Sequence, residues 1–174
     1  MTFDFRNLSI LVVEDTVPML KLICSVLQTF GTGKIHRAAD GGKGFEAFCE
    51  YNPDIVITDW HMPPTSGIEM VYNIRNSALS PNKTVPIIMM TGFAAINRVA
   101  KARDMGATEF LSKPFSANDL AQRIDHIINK PRDFIRAEEY FGPDRRRRVL
   151  TGYKGPLQRD QDRPGGDETQ RVYI

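Results

Sequence analysis

Five short runs of β-branched and aliphatic residues recur between residues 8 and 130, and each is followed by a segment with helical spacing of apolar residues. Runs such as Ser9–Val13 (SILVV) and Pro86–Met90 (PIIMM) are apolar almost throughout, which is typical of strands buried on both faces of a parallel sheet. The alternation predicts an α/β fold: a doubly wound, five-stranded parallel sheet with helices on both faces. We expect strands at 9–13, 34–38, 54–58, 86–90 and 108–112, and helices at 17–30, 42–51, 67–77, 94–105 and 116–128.

Polar residues that can bind a metal or take part in a reaction stand at the carboxyl ends of these expected strands. A doubly wound sheet binds ligands beyond those ends, close to the point where the strand order reverses. Three carboxylates, one hydroxyl and one ammonium are therefore expected to meet at one edge of the sheet. They are Glu14 and Asp15 after the first strand, Asp59 after the third, Thr91 after the fourth and Lys113 after the fifth.

Three carboxylates close together repel one another, and a hard divalent cation relieves that repulsion. Mg²⁺ suits a site with few carboxylates, because it keeps positions open for water and phosphate. Asp59 is then placed to attack a phosphoryl group, with the metal and Lys113 compensating charge and Thr91 donating a hydrogen bond. Each residue alone has an ordinary structural explanation, such as a helix cap or a strand-ending threonine. The combination, in this order, indicates a phosphorylation site.

Four segments carry a resemblance to a known family. VVEDT, TDWHMPPTSGIE, MMTGF and FLSKPF, spread over residues 7–130, resemble the receiver domains of two-component response regulators, and especially the stand-alone, CheY-like type with its flavodoxin-like fold. A phosphohydrolase with an aspartate nucleophile is disfavoured, because His61 stands where its second carboxylate would be expected.

The resemblance implies a role for each matching residue. Asp59 would be the phosphoacceptor, and Lys113 would pair with the phosphoryl group. Thr91 and the aromatic Phe110 would form the switch that remodels the face made by the fourth helix, fifth strand and fifth helix, where an output protein would dock. A histidine kinase or phosphotransfer protein would be the phosphodonor. The implied Mg²⁺ ligands are Glu14, Asp15, Asp59 and the backbone carbonyl of His61.

The chain continues well beyond the expected receiver, residues 1–130. Pro131 interrupts the last helix, and we expect a short helical extension at 131–141. Residues 142–174 are rich in Gly, Pro, Arg and Asp and poor in aliphatic residues. They cannot build a core of their own, so we expect an arginine-rich, largely disordered C-terminal tail without an enzymatic or DNA-binding output domain.

Three interpretations of the tail remain open. A basic run is often simply solvated. Nucleic-acid binding is disfavoured by interspersed acids. Arginine also binds guanine and phosphate bidentately, a carboxylate can accept from the guanine edge, and tyrosine can stack on the base. The layout resembles CheY-like regulators whose arginine-rich extension binds cyclic di-GMP and acts on motility and attachment. The candidate ligand-binding residues are Tyr140, Asp144, Arg145, Arg146, Arg147, Arg148, Tyr153, Arg159 and Asp162.

Composition narrows the class of protein further. No apolar run approaches the ~20 residues that cross a membrane, and no basic segment leads into an apolar stretch at the start. We therefore expect a cytoplasmic protein with no membrane insertion.

Its only catalysis would be its own phosphotransfer and dephosphorylation. The expected function is phosphorylation-controlled docking, with the flagellar motor as a candidate target. The alternative is a phosphate sink or phosphorelay shuttle with an inert tail.

Overall fold

The computed structural model describes residues 5–92, 104–137, 140–144 and 170–172. The main sheet is five-stranded and parallel, with strand order β2-β1-β3-β4-β5. The predicted doubly wound α/β fold is confirmed. The strands are β1 (Ser9–Val13), β2 (Lys34–Ala38), β3 (Ile55–Asp59), β4 (Ile87–Gly92) and β5 (Glu109–Lys113), and the described helices are α1 (Val17–Thr29), α2 (Gly41–Tyr51), α3 (Gly67–Asn76) and α4 (Ala117–Asn129).

Side chains of each central strand alternate between two cores, one on each face of the sheet. Leu11 and Val13 belong to the core that α2 and α3 cover, together with Phe48 and Met70. Ile10 and Val12 belong to the opposite core, beneath α1 and α4. Both faces are thus sealed, which explains why the strands are nearly continuous apolar runs in the sequence.

Local signals set where the helices begin. Ser66 and Ser116 each form a reciprocal capping box, with Glu69 and Asp119 respectively. Asp40 caps α2 by accepting hydrogen bonds from two backbone amides. Such caps satisfy amides that have no partner inside the helix. The helix predicted at 94–105 falls almost entirely outside the described residues.

The chain after α4 differs from the prediction. Residues 131–141 were expected to be helical, but β6 (Phe134–Ala137) and β7 (Tyr140–Pro143) form an antiparallel hairpin instead. β8 (Gln170–Val172) pairs with the other side of β6. Aromatic and β-branched residues favour strands, and the Phe134 and Phe141 rings pack against each other with 5.9 Å between their centroids.

The same finding corrects part of the expected disorder at 142–174. Residues 142–143 complete β7, and residues 170–172 form β8. Residues 145–169 lie outside the described part of the chain, as do the tail candidates among them. No described helix is long and apolar enough to cross a membrane.

Candidate phosphorylation site

Three carboxylates converge at the carboxyl edge of the sheet. β1 and β3 are parallel neighbours with Val13 opposite Thr58, so the residues that follow them meet. One oxygen from each of Glu14, Asp15 and Asp59 lies within 4.8 Å of the others. Glu14 is buried, Asp59 is partly buried and Asp15 is exposed. The cluster is therefore anchored in the protein on one side and open to solvent on the other.

Lys113, the last residue of β5, holds two of these carboxylates. Its Nζ lies 2.9 Å from Glu14 Oε2 and 3.2 Å from Asp59 Oδ2. Partial burial by itself would lower the pKa of Lys113, but the hydrogen bond to Glu14 and the charge of Asp59 outweigh it and raise that pKa above its ordinary value. Lys113 is thus held as a cation beside Asp59.

The backbone around Asp59 fixes the direction of its side chain. Asp59 Oδ1 accepts a 2.8 Å hydrogen bond from the Trp60 amide. The Trp60 carbonyl in turn accepts a 3.0 Å bond from the amide of Gly67, the first residue of α3. A Cβ at Gly67 would collide with the Asp59 carbonyl oxygen. The sequence analysis did not identify Gly67 as a site residue. The available signal was a glycine at the first position of a helix, where the absence of a Cβ permits close approach to other backbone.

The remaining predicted receiver residues lie around this cluster. Thr91 is buried near the end of β4, and a Cβ on the following Gly92 would have no heavy atom of the described residues within 4 Å. Phe110 is partly buried against the core that contains Trp60. The imidazole of His61 is exposed. The roles of Thr91 and Phe110 as a switch, and of the His61 carbonyl as a metal ligand, stay predictions.

The donor set fits Mg²⁺. All three clustered side chains offer carboxylate oxygen, the ligand type that hard cations prefer, and the exposed Asp15 leaves room for water or phosphate. Within the part of the chain that the structure describes, this is the one group of three or more acidic, histidine or cysteine side chains close enough to hold a metal.

Two of the predicted tail residues are described, and both take part in the hairpin. The Tyr140 hydroxyl donates a 2.8 Å hydrogen bond to the Pro143 carbonyl. The Asp144 amide donates to the Asp133 carbonyl at 2.7 Å. Of the predicted nucleotide ligands, the structure therefore places only these two. The others, Arg145, Arg146, Arg147, Arg148, Tyr153, Arg159 and Asp162, lie outside the described residues.

The fold and the acid–lysine cluster are those expected of a receiver domain, and comparison with known proteins agrees. The family model for the response regulator receiver domain matches residues 10–125, and the chain belongs to this family. Receiver domains of this kind are signalling domains that bind Mg²⁺ in an acidic pocket and interact with histidine kinases or phosphotransfer proteins.

Several relatives share most of the receiver. The chain is 30% identical over 125 residues to the chemotaxis protein CheY-3 of Vibrio cholerae, covering 72% of this chain and 95% of that protein. It is 28% identical to the phosphate regulon regulatory protein PhoB of Escherichia coli, covering 70% of this chain and 52% of PhoB. The solved structure of Vibrio cholerae CheY4 superposes with a TM-score of 0.63 at 27% identity, covering 69% of this chain and 98% of CheY4.

Replacing Lys113 is expected to tighten Mg²⁺ binding. The ammonium neutralises charge on Glu14 and Asp59 and repels a dication bound to the same oxygens. Lys113→Gln should therefore raise the affinity for Mg²⁺ by at least about threefold, measured by isothermal titration calorimetry. Lys43→Gln, at an exposed lysine 4.0 Å from Asp40, is the matched control and should leave the affinity unchanged. Equal or weaker binding by Lys113→Gln would contradict the electrostatic account.

The contribution of Lys113 to stability should also depend on pH. A pKa raised in the folded state gives stability that is present below the unfolded value, 10.5, and lost as the pH rises through the folded value. The difference in free energy of unfolding between the protein and Lys113→Gln should stay constant from about pH 6 to about pH 9 and shrink above about pH 10.5. Urea titrations across this range measure it. A difference that already shrinks near neutral pH would be inconsistent with the raised pKa.

Proposed function

We propose that this chain is a response regulator that accepts a phosphoryl group on Asp59 and signals by docking to an output protein. The observation that carries the proposal is the position of the Asp59 carboxylate. It lies between the Lys113 ammonium at 3.2 Å and the oxygens of Glu14 and Asp15 within 4.8 Å. A nucleophile, its counter-charge and a metal-binding pair thus occupy one solvent-accessible edge.

Each residue of the site has a distinct role in phosphotransfer. The Trp60 amide holds Asp59 Oδ1, which orients the carboxylate for attack on the phosphorus of the donor. As the new oxygen–phosphorus bond forms, the bond to the donor atom breaks and its electron pair leaves with the donor. Lys113 offsets the negative charge on the transferred group, and Thr91 donates to one of its oxygens. Mg²⁺ held by Glu14, Asp15, Asp59 and the His61 carbonyl would supply further charge compensation.

Incubation of the full chain with acetyl phosphate and Mg²⁺ tests the proposal directly. Intact-mass spectrometry should show the addition of one phosphoryl group, and prior removal of the metal with EDTA should prevent it. The modification should be lost on base treatment, as expected for an acyl phosphate. An unmodified mass after prolonged exposure to donor and metal would rule the proposal out.

Signalling would follow the receiver pattern. Phosphate would come from a histidine kinase or phosphotransfer protein in the cytoplasm, and Thr91 and Phe110 would remodel the face that includes β5 and α4. The proposed output is motility control, with the flagellar motor as the candidate target, and the relative named as a chemotaxis protein in Vibrio cholerae motivates testing it. The alternative, a phosphate sink or relay shuttle, predicts that truncation after residue 141 changes no output. We propose no catalysis beyond phosphotransfer and dephosphorylation of Asp59.

A second function is proposed for the tail: binding of cyclic di-GMP. The feature that favours it is the run of four arginines, Arg145–Arg148, which follows directly after Asp144 at the end of the hairpin. Amide NMR titration of the full chain should show shifts in the tail, and replacement of all four arginines by alanine should abolish them without impairing Asp59 phosphorylation. Unchanged affinity in that variant, or no shifts at excess ligand, would refute tail binding.

A further inference from the structure

Arg75, near the end of α3, is a buried cation held by neutral partners. Its side chain is 1% exposed. Nε and Nη2 donate to the Gly106 carbonyl at 3.0 and 2.9 Å, and Nη1 donates to the Lys83 carbonyl at 2.7 Å. Among the described residues no carboxylate forms an ion pair with it. Burial lowers the pKa of Arg75 to about 9, with Tyr140 opposing that shift. Removing this guanidinium from water carries a desolvation cost that backbone carbonyls only partly offset.

The β6–β7 hairpin covers this cation. The guanidinium carbon of Arg75 lies 4.9 Å from the centroid of the Phe134 ring, and Phe134 is 2% exposed. A Cβ added to Gly142 in β7 would come within 3.1 Å of the Gly106 Cα, so the hairpin fits closely against the loop that precedes β5. The apolar and cation–π contacts favour docking, whereas the desolvation of Arg75 opposes it. Opposing contributions of this kind leave docking sensitive to small changes nearby.

A second contact ties the hairpin's base to β5. Glu109, the first residue of β5, is buried, and its Oε1 lies 3.5 Å from Arg132 Nη2 in the segment that leads into β6. Arg123 Nη1, on α4, lies 3.5 Å from Oε2 of the same carboxylate. Glu109 thus joins the hairpin to β5 through Arg132, and α4 to β5 through Arg123.

β5 therefore runs from the base of the hairpin to the carboxylate cluster around Asp59. Lys113, its last residue, contacts Glu14 and Asp59, and Glu109, its first residue, contacts Arg132. Phosphorylation of Asp59 replaces a single negative charge by about two, so Lys113 must redistribute its ion pairs toward the phosphoryl group. β5 has five residues, with Glu109 at one end and Lys113 at the other.

We propose that the β6–β7 hairpin is a clasp whose docking over Arg75 is weakened by phosphorylation of Asp59, through β5 and the Glu109–Arg132 contact. Docking of the hairpin thereby couples the phosphorylation state of Asp59 to the chain that follows residue 144. The inference rests on the proposed phosphorylation of Asp59. By linkage, anything that holds the hairpin in place also opposes phosphorylation.

Hydrogen–deuterium exchange of the full chain, followed by mass spectrometry, tests the clasp. Acetyl phosphate and Mg²⁺ should accelerate exchange of the amides in residues 134–137 and 140–142 by at least about threefold, and Asp59→Asn should show no acceleration. The intact mass of the same samples reports phosphorylation. A missing phosphoryl mass would mean that the proposed function fails. Full phosphorylation with unchanged hairpin exchange would overturn the clasp alone.

Two matched variants test the route. Arg132→Gln breaks the contact between Glu109 and the hairpin's base, so the hairpin should no longer respond to phosphorylation. Arg123→Gln removes an arginine at the same 3.5 Å distance from Glu109 but on α4, and the response should persist. Phe134→Leu retains apolar cover but removes the aromatic face, and should accelerate hairpin exchange before any phosphorylation. A response of equal size in Arg132→Gln and the unmodified chain would overturn the route through Glu109.

Discussion

Asp59→Asn should reduce phosphorylation of the chain by acetyl phosphate by at least about a hundredfold, to the background of the assay. The amide oxygen of asparagine is a far poorer nucleophile than a carboxylate and carries no charge to bind a metal. Asparagine has nearly the same shape and can still accept the 2.8 Å hydrogen bond from the Trp60 amide. The substitution therefore removes chemistry without removing the local structure. Intact-mass spectrometry, followed by peptide mapping, measures the outcome.

The stability of Asp59→Asn separates this chemical effect from misfolding. Asp59 lies among Glu14 and Asp15, so removal of its charge relieves repulsion while costing one ion pair with Lys113. We expect the free energy of unfolding to change by no more than about 1 kcal/mol. Asp125→Asn, which alters a carboxylate on α4 bonded to Asn129, is the matched control and should be phosphorylated normally. Undiminished labelling of Asp59→Asn would show that the phosphoacceptor lies elsewhere.

The sheet and its cluster of carboxylates and Lys113 were predictable because both follow from short-range patterns. A run such as Ser9–Val13 is apolar on both faces and has few alternatives to a central parallel strand. Once the strands are parallel, their carboxyl ends share one edge, so Asp15, Asp59 and Lys113 must approach one another. The sequence alone did not determine which carboxylates Lys113 contacts. That choice depends on side-chain geometry, and the structure gives Glu14 and Asp59.

The hairpin could not be predicted for a different reason. β6 and β7 have four residues each, too few for a period of two to be distinguished from a helical turn. Phe134, Ile135 and Phe141 satisfy either pattern. The strand β8, which pairs with β6, begins more than thirty residues later, and its pairing is invisible to local reasoning. Tertiary contacts, including the one between Phe134 and Arg75, decided the outcome.

The burial of Arg75 in the receiver could not be predicted from the sequence either. A basic residue in the last turn of a helix is ordinarily an exposed partner of the helix dipole. Here the Gly106 and Lys83 carbonyls and the Phe134 ring enclose it. None of these groups is within a helical turn of Arg75 in the sequence. Burial of a charged side chain is thus a property of the assembled fold, and its consequences for the tail could be inferred only from the structure.

Gly67→Ala should destabilise the protein strongly and disturb the phosphorylation site. A Cβ at Gly67 would overlap the Asp59 carbonyl oxygen and lie 2.6 Å from Thr58 Oγ1. Both belong to β3, which is buried in the sheet, so neither can move aside without displacing Asp59 itself. We expect the free energy of unfolding to fall by at least about 3 kcal/mol, and Tm by about 10 °C. The phosphorylation rate should fall by about tenfold or more, because the carboxylate is displaced from Lys113.

Gly92→Ala is the matched control for this prediction. Gly92 also ends a central strand at the same edge of the sheet, but a Cβ there would meet no heavy atom within 4 Å among the residues that the structure describes. Its effect on the free energy of unfolding should stay within about 0.5 kcal/mol, as for an ordinary surface substitution. Differential scanning calorimetry of the two variants gives the comparison. If Gly67→Ala were as stable as Gly92→Ala, the close contact between α3 and β3 would not be what holds Asp59 in position, and the hydrogen bonds of the Trp60 backbone would have to do so alone.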